Sequence, residues 1–162
     1  MDKCIFEQGR FGLKSARRDL VSELVRADRC WRSHAERKFL RLDISEARAM
    51  PLIWVSRLGN GVWQSEVAKS IGIRAATLAD MITQLEAAKL IERREDPADQ
   101  RAKALWLTEQ GTTLAAKLEE LLGELHDDIL SEFDASELEI ATKVLRRIAT
   151  RQSKSNRFAI NR

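Results

Sequence analysis

The chain has no tyrosine, and only two cysteines, two histidines and two prolines in 162 residues. No apolar run approaches the ~20 residues that a membrane-spanning helix needs. The opening MDKCIFEQGRFGLKSARRDL lacks a continuous apolar core, so it does not read as a secretory leader, and a cytoplasmic location is expected. Cys4 and Cys30 are too few for a disulfide framework. Cys30 and His34 stack at helical spacing, but two ligands do not close a tetrahedral zinc site, so no metal is expected. His34 and His126 alone offer general-base chemistry near neutral pH. There is no Gly-rich phosphate loop after a strand, no G-x-S-x-G and no H-E-x-x-H. Asp127-Asp128 reads as a solvated helix face. The expectation is a protein without catalytic residues and without a cofactor.

What is present is concentrated in residues 64–108, QSEVAKSIGIRAATLADMITQLEAAKLIERREDPADQRAKALWLT. Ser65 to Ser70 reads as a short helix, Gly72 as a turn, and Arg74 to about Ala88 as a longer helix. Leu78, Met81, Ile82, Leu85 and Leu90 repeat in steps of three and four, one buried stripe of a 3.6-residue period. Two helices joined by a Gly-containing turn form the helix-turn-helix pattern, whose second helix enters the DNA major groove.

After Lys89 the period changes. Leu90 to Arg94 and Ala102 to Leu107 read as strands, separated by a run of turn formers around Pro97. A helix-turn-helix followed by such a hairpin is a winged helix, and its tip can reach a neighbouring minor groove, with Arg101 as the inserting side chain. Val62-Trp63 reads as a short strand pairing at the base of this wing.

These residues carry a resemblance. QSEVAKSIGI, TLADMITQLEAAKLIERREDPADQRAKALWLTEQG and the surrounding pattern resemble the MarR family of bacterial transcriptional regulators over roughly residues 20–150. The D-x-R-x-K run of that family's wing stands here as Asp99, Arg101 and Lys103, and the Leu-Thr-x-x-Gly that opens its next helix as Leu107, Thr108 and Gly111. Asp80 stands where the family often has a basic residue, and Lys89 where it usually has glycine. An aspartate accepts a hydrogen bond from cytosine but repels phosphate.

The fold class implied is mainly α with a small β wing: a winged helix-turn-helix flanked by N- and C-terminal dimerisation helices. Residues 1–162 read as a single domain, with the DNA-binding part at about 45–108. Dimerisation helices fall at about 13–42 and 109–151, before a basic tail, 152–162, expected to be mobile. Residues 1–13 have no clear period. Ser45 is the expected N-cap of a helix from Glu46 to Leu58, which Pro51 should kink near Ala47 to Pro51. Gly59-Asn60-Gly61 ends that helix. Thr108 starts a helix to about Ser131, and Asp134 with Glu137 fits a capping box for a last helix to about Thr150. In the family the terminal helices interlock across a two-fold axis, and reading a palindrome requires such a dimer. The same apolar stripes would also serve to close a monomeric core.

Charge is informative by placement. Residues 1–63 carry 13 basic and 8 acidic side chains, residues 64–103 carry 7 of each, and residues 104–162 carry 8 and 10. A neutral reading segment does not attract DNA by bulk charge. The reading rests on Lys69, Arg74, Arg93, Arg94, Arg101 and Lys103 near the groove-facing elements. The expected DNA contacts are Ser65 through its helix turn, Arg74, Ala75, Thr77 and Asp80 on the recognition helix, and Asp99, Gln100, Arg101 and Lys103 in the wing.

The resemblance also implies a small aromatic or anionic effector between the dimerisation region and the reading segment. Trp31, Arg32, His34, Met50 and Trp54, with Ala35, Phe39, Leu58 and Arg48 nearby, would supply an apolar site with an anion-pairing end; they would equally make plain core. Cys4 resembles the N-terminal reactive cysteine of the family's peroxide sensors, which support their thiolate with tyrosines that are absent here. The function expected is a homodimeric DNA-binding regulator, a repressor of a palindromic operator released by an effector, with no membrane partner. The alternatives are a winged helix that binds protein instead of DNA, a ligand-free architectural or global regulator, and a redox-sensing regulator acting through Cys4 or Cys30.

Overall fold

The structure, a computed structural model, describes the backbone of residues 3–95 and 103–155 and the side chains of residues 12–94 and 104–150. In order, the elements are α1 (Lys3–Phe39), a 3-10 turn (Leu40–Leu42), α2 (Glu46–Leu58), β1 (Val62–Trp63), α3 (Gln64–Ile71) and α4 (Ala75–Ala87). The wing strands β2 (Ile91–Glu95) and β3 (Lys103–Leu107), then α5 (Glu109–Leu130) and α6 (Ala135–Ser155), complete the chain. Two compact units divide it, Met1–Gly123 and Glu124–Arg162. No helix among the described residues is long and apolar enough to cross a membrane.

In the first unit, α1 begins at Lys3 and not near Leu13, so Gly9 and Gly12 lie within the helix. A glycine inside a helix costs about 1 kcal/mol relative to alanine, which a helix this long absorbs. Ala35 and Phe39 are buried, whereas Leu20, Val21 and Val25 are 44%, 60% and 54% exposed. Among the described side chains of α1, only those of its last turns therefore belong to the core.

Helix α2 spans Glu46–Leu58, as the sequence predicts, and continues through a buried Pro51. Ser45 holds the N-cap backbone conformation, but its hydroxyl makes no capping bond. The Glu36 carboxylate of α1 accepts the Glu46 N–H instead. A carboxylate caps a helix N-terminus more strongly than a hydroxyl because its charge also meets the helix dipole. Ala49, Leu52, Ile53 and Val55 of α2 are buried, as are Val67 and Ala68 of α3 and Leu78, Ile82 and Leu85 of α4. Met81 and Leu90, the other members of the predicted stripe, are half-buried.

Gly72, at φ 80, closes α3 with its N–H bonded to the Ala68 carbonyl. At the end of α4, Leu90 N–H bonds Leu85 O and Lys89 N–H bonds Glu86 O, both at 2.9 Å. This pair of bonds is a Schellman motif, and it forces Lys89 to φ 57 without the glycine that such a position favours.

The sheet has strand order β1-β3-β2, all antiparallel. Val62 pairs Leu105, which pairs Arg93, and Ile91 pairs Leu107, so these side chains share one face. Its apolar members are buried. Trp63, Ala104, Trp106, Arg94 and Glu92 take the other face. The Gly59-Asn60-Gly61 turn is fastened to this sheet: Asn60 Oδ1 accepts the Leu107 N–H at 2.8 Å.

Thr108 opens α5 with three bonds. Its hydroxyl donates to Lys89 O at 2.7 Å, its N–H bonds Leu90 O, and its Oγ1 accepts the Gly111 N–H at 3.0 Å. Arg57 of α2 grips Glu119 through two bonds, Nε to Oε1 at 2.6 Å and Nη2 to Oε2 at 2.8 Å.

In the second unit, the capping box of α6 forms as its spacing predicts. Asp134 Oδ1 accepts the N–H groups of Ser136 and Glu137, and Glu137 Oε2 accepts the Asp134 N–H. The helix runs on to Ser155, beyond Thr150. Ile140, Val144, Leu145 and Ile148 are 63%, 38%, 44% and 41% exposed.

Candidate nucleic-acid interface

The buried stripe of α4 fixes which residues face outward. With Leu78, Ile82 and Leu85 held in the core, Arg74, Ala75, Ala76, Asp80, Thr83, Gln84 and Ala87 are exposed and Thr77 is half-buried. Arg74 sits at the N-cap in extended conformation and makes no side-chain cap. The first N–H groups of α4 are thus left without a side-chain partner, with the positive end of the helix dipole beside an exposed guanidinium. Helix α3 has the same open start, because Trp63 at its N-cap supplies no capping bond, and Ser65 is exposed in its first turn. Gln84 lies one turn after Asp80 on the same face and is exposed. Sequence reasoning passed over it, although its i+4 spacing from Asp80 is a signal for it.

Of the wing residues, Lys103 opens β3, while Asp99, Gln100 and Arg101 lie outside the described residues. The two arginines of β2 are not free for a polyanion. Arg93 turns toward α4, where its guanidinium meets Glu86 at 2.9 Å and bonds Ala79 O at 3.0 Å. Arg94 turns the other way, over the Trp106 ring at 4.5 Å and against Glu92 at 3.0 Å. Neighbouring residues on a strand point to opposite faces, and each face here already holds a partner.

The residues expected at an effector site lie on α1 and α2. Trp31, His34, Met50 and Trp54 are half-buried and Arg32 is exposed. The Arg32 guanidinium is already paired, with Glu46 at 3.0 Å and Asp28 at 3.2 Å. Burial holds the Glu46 carboxyl above its ordinary 4.5, Arg32 opposes that shift, and the nearby Glu36 charge adds to it. His34 Nδ1 lies 2.9 Å from the Cys30 carbonyl and 3.6 Å from its thiol. Cys30 itself is exposed. Arg57 lies over the Trp54 ring at 5.4 Å. Trp54 Nε1 and Arg48 Nε are buried polar atoms without a hydrogen-bond partner.

A helix-turn-helix with an outward-facing second helix, followed by a hairpin paired to a short first strand, defines a winged-helix DNA-binding protein. The MarR family model matches residues 44–103, the span from just before α2 to the first residue of β3. Among solved structures, the transcriptional regulator PA3341 is 30% identical and superposes with a TM-score of 0.77, over 83% of this chain and 98% of that one. MepR of S. aureus, in complex with DNA, is 24% identical with a TM-score of 0.72, over 80% of this chain and 96% of that one. CouR from Rhodococcus jostii RHA1, bound to p-coumaroyl-CoA, is 21% identical with a TM-score of 0.75, covering 81% and 92%. The chain belongs to the MarR family of transcriptional regulators.

Proposed function

We propose that this protein is a homodimeric regulator that binds a palindromic operator as a repressor and is released by a small aromatic or anionic effector. The observation that carries the DNA reading is α4, whose uncapped N-terminus and exposed Arg74, Ala75 and Asp80 stand free beside the wing strands, with Thr77 half-buried in the same turn. Arg74 and the open N–H groups of α3 and α4 take phosphates, and Ser65 lies at such a phosphate. Asp80 accepts from a cytosine amino group, and Gln84, one turn on, suits adenine. Arg101, flanked by Asp99 and Gln100 and followed by Lys103, enters the minor groove.

Exposed apolar side chains on α1 and on α6 support dimerisation, since rows of large apolar residues facing water mark association surfaces. The partnerless Trp54 Nε1 and Arg48 Nε support an effector site at Trp31, Arg32, His34, Met50 and Trp54, because a polar ligand satisfies orphaned donors. An anionic ligand there competes with Glu46 for Arg32. A protein-binding winged helix is the second reading, favoured by the exposed Asp80 and the engaged Arg93 and Arg94.

Fluorescence anisotropy with palindromic duplexes from the protein's own upstream region, across a salt series, separates the two. Tight, sequence-selective binding with a steep salt slope supports the regulator, and Arg101→Ala then lowers affinity and flattens the slope by about 0.9 per lost phosphate contact. Weak binding that is equal on all sequences favours the protein-binding reading. Release of the duplex by small aromatic acids tests the effector.

A further inference from the structure

The side chain of Arg93 reaches from β2 across two turns of α4. Nη1 pairs with Glu86 Oε2 at 2.9 Å, and Nη2 donates to Ala79 O at 3.0 Å and to Thr83 Oγ1 at 3.2 Å. The backbone joins in, because the Arg93 N–H donates to Glu86 Oε1 at 3.2 Å. The Thr83 hydroxyl in turn donates to Ala79 O at 3.0 Å. Residues 79, 83 and 86 form one edge of α4, between its buried stripe and its outward face. The Arg93 side chain is 21% exposed and that of Glu86 30%, so the pair is largely withdrawn from solvent.

Helix and strand are thus fastened at two separate heights. The Schellman turn at Lys89 and Leu90 joins them at the C-terminal end of α4, and Arg93 joins them again up to Ala79. One attachment leaves a hinge; two fix the angle between recognition helix and wing. Resting on the DNA reading proposed above, we infer that Arg93 is a positioning residue: it sets α4 against the wing, so that major-groove and minor-groove contacts are made together, and it touches no phosphate.

The sign of one substitution decides between the two roles. If Arg93 contacts phosphate, Glu86→Gln removes a competing charge and tightens DNA binding. If Arg93 positions α4, Glu86→Gln loosens the clamp and weakens binding, although the protein becomes more positive. The experiment measures the palindromic upstream duplex by anisotropy over a salt series, with wild type, Glu86→Gln, Thr83→Val, Arg93→Lys and Arg93→Ala. Amide hydrogen exchange across α4 is followed in the DNA-free proteins. The expected result is weaker binding for Glu86→Gln and, on the order of tenfold, for Arg93→Ala, each with an unchanged salt slope. Arg93→Lys does not restore affinity, because an ammonium cannot span Glu86 and the Ala79 carbonyl as the fork does. Exchange of the α4 amides accelerates in the same variants. A salt slope shallower by about 0.9 for Arg93→Ala, with tighter binding by Glu86→Gln, overturns the inference in favour of a phosphate contact. Should wild type fail to bind the duplex, the function proposed above falls. The exchange data still judge the clamp, and unaccelerated α4 amides in Glu86→Gln and Thr83→Val overturn it. Those two variants also carry the test if Arg93→Ala does not fold.

Discussion

The carbonyl oxygen of Leu90 lies 1.9 Å from where a β-carbon on Gly111 would stand. The first turn of α5 thus rests directly on the backbone between α4 and β2, and only a hydrogen fits there. Gly111→Ala is expected to cost about 1–3 kcal/mol, the range for forcing atoms into filled space, or more because the obstacle is backbone. Gly123, in the same helix, has nothing within 4 Å of such a β-carbon. Gly123→Ala should therefore stabilise by up to about 1 kcal/mol. Urea unfolding of both variants gives the comparison, and equal effects would remove the packing explanation.

Lys89 occupies a left-handed conformation at φ 57, where an L side chain costs about 1–2 kcal/mol. Lys89→Gly should raise stability by somewhat less than this, since glycine also gains freedom in the unfolded chain. A lowered thermal midpoint would show that the Lys89 side chain contributes more than its backbone strain removes.

Glu46 gives a pH signature of defined sign. Its folded-state pKa is raised from 4.5, chiefly by burial, so the folded protein favours the protonated form. Its contribution is most favourable below 4.5 and is lost as pH rises through the higher folded value. The stability difference between Glu46→Gln and wild type should grow in favour of glutamine from about pH 4.5 upward and then level off. Denaturant midpoints between acid and neutral pH test this. A difference that grows in favour of wild type would mean that pairing with Arg32 outweighs burial.

Asp80 is exposed on α4. Replacing it with asparagine should tighten binding to non-specific DNA, because one repulsion from the phosphates disappears. Discrimination at one base pair should fall by about 1–3 kcal/mol if Asp80 reads cytosine. Competition assays with single-base operator variants measure both effects. Unchanged affinity on every sequence would place Asp80 away from the groove.

Local chemistry was legible without the structure. The 3.6-residue stripe of α4, the glycine turn, the period change at the wing, and the capping box of Asp134 and Glu137 each depend on residues a few positions apart. Steric and hydrogen-bonding rules act directly at that range. The Leu107-Thr108-x-x-Gly111 motif was readable as a family mark, but its reason was not. Thr108 and Gly111 are fixed by the carbonyls of Lys89 and Leu90, some twenty residues earlier in the chain.

What the tertiary structure decided is which charges are available. From sequence alone, Arg93 and Arg94 looked as ready for phosphate as Arg74, and Ser45 looked like the cap of α2. Packing placed Arg93 against Glu86 and Arg94 over Trp106, left Arg74 exposed, and brought Glu36 from another helix to do what Ser45 does not. Charged side chains are long and nearly alike in local preference. Where each one ends is set by the partner that folding delivers, and partners distant in sequence leave no periodic trace in the chain. The sequence determined the elements and their order; the folded structure determined which of its arginines remain free to meet DNA.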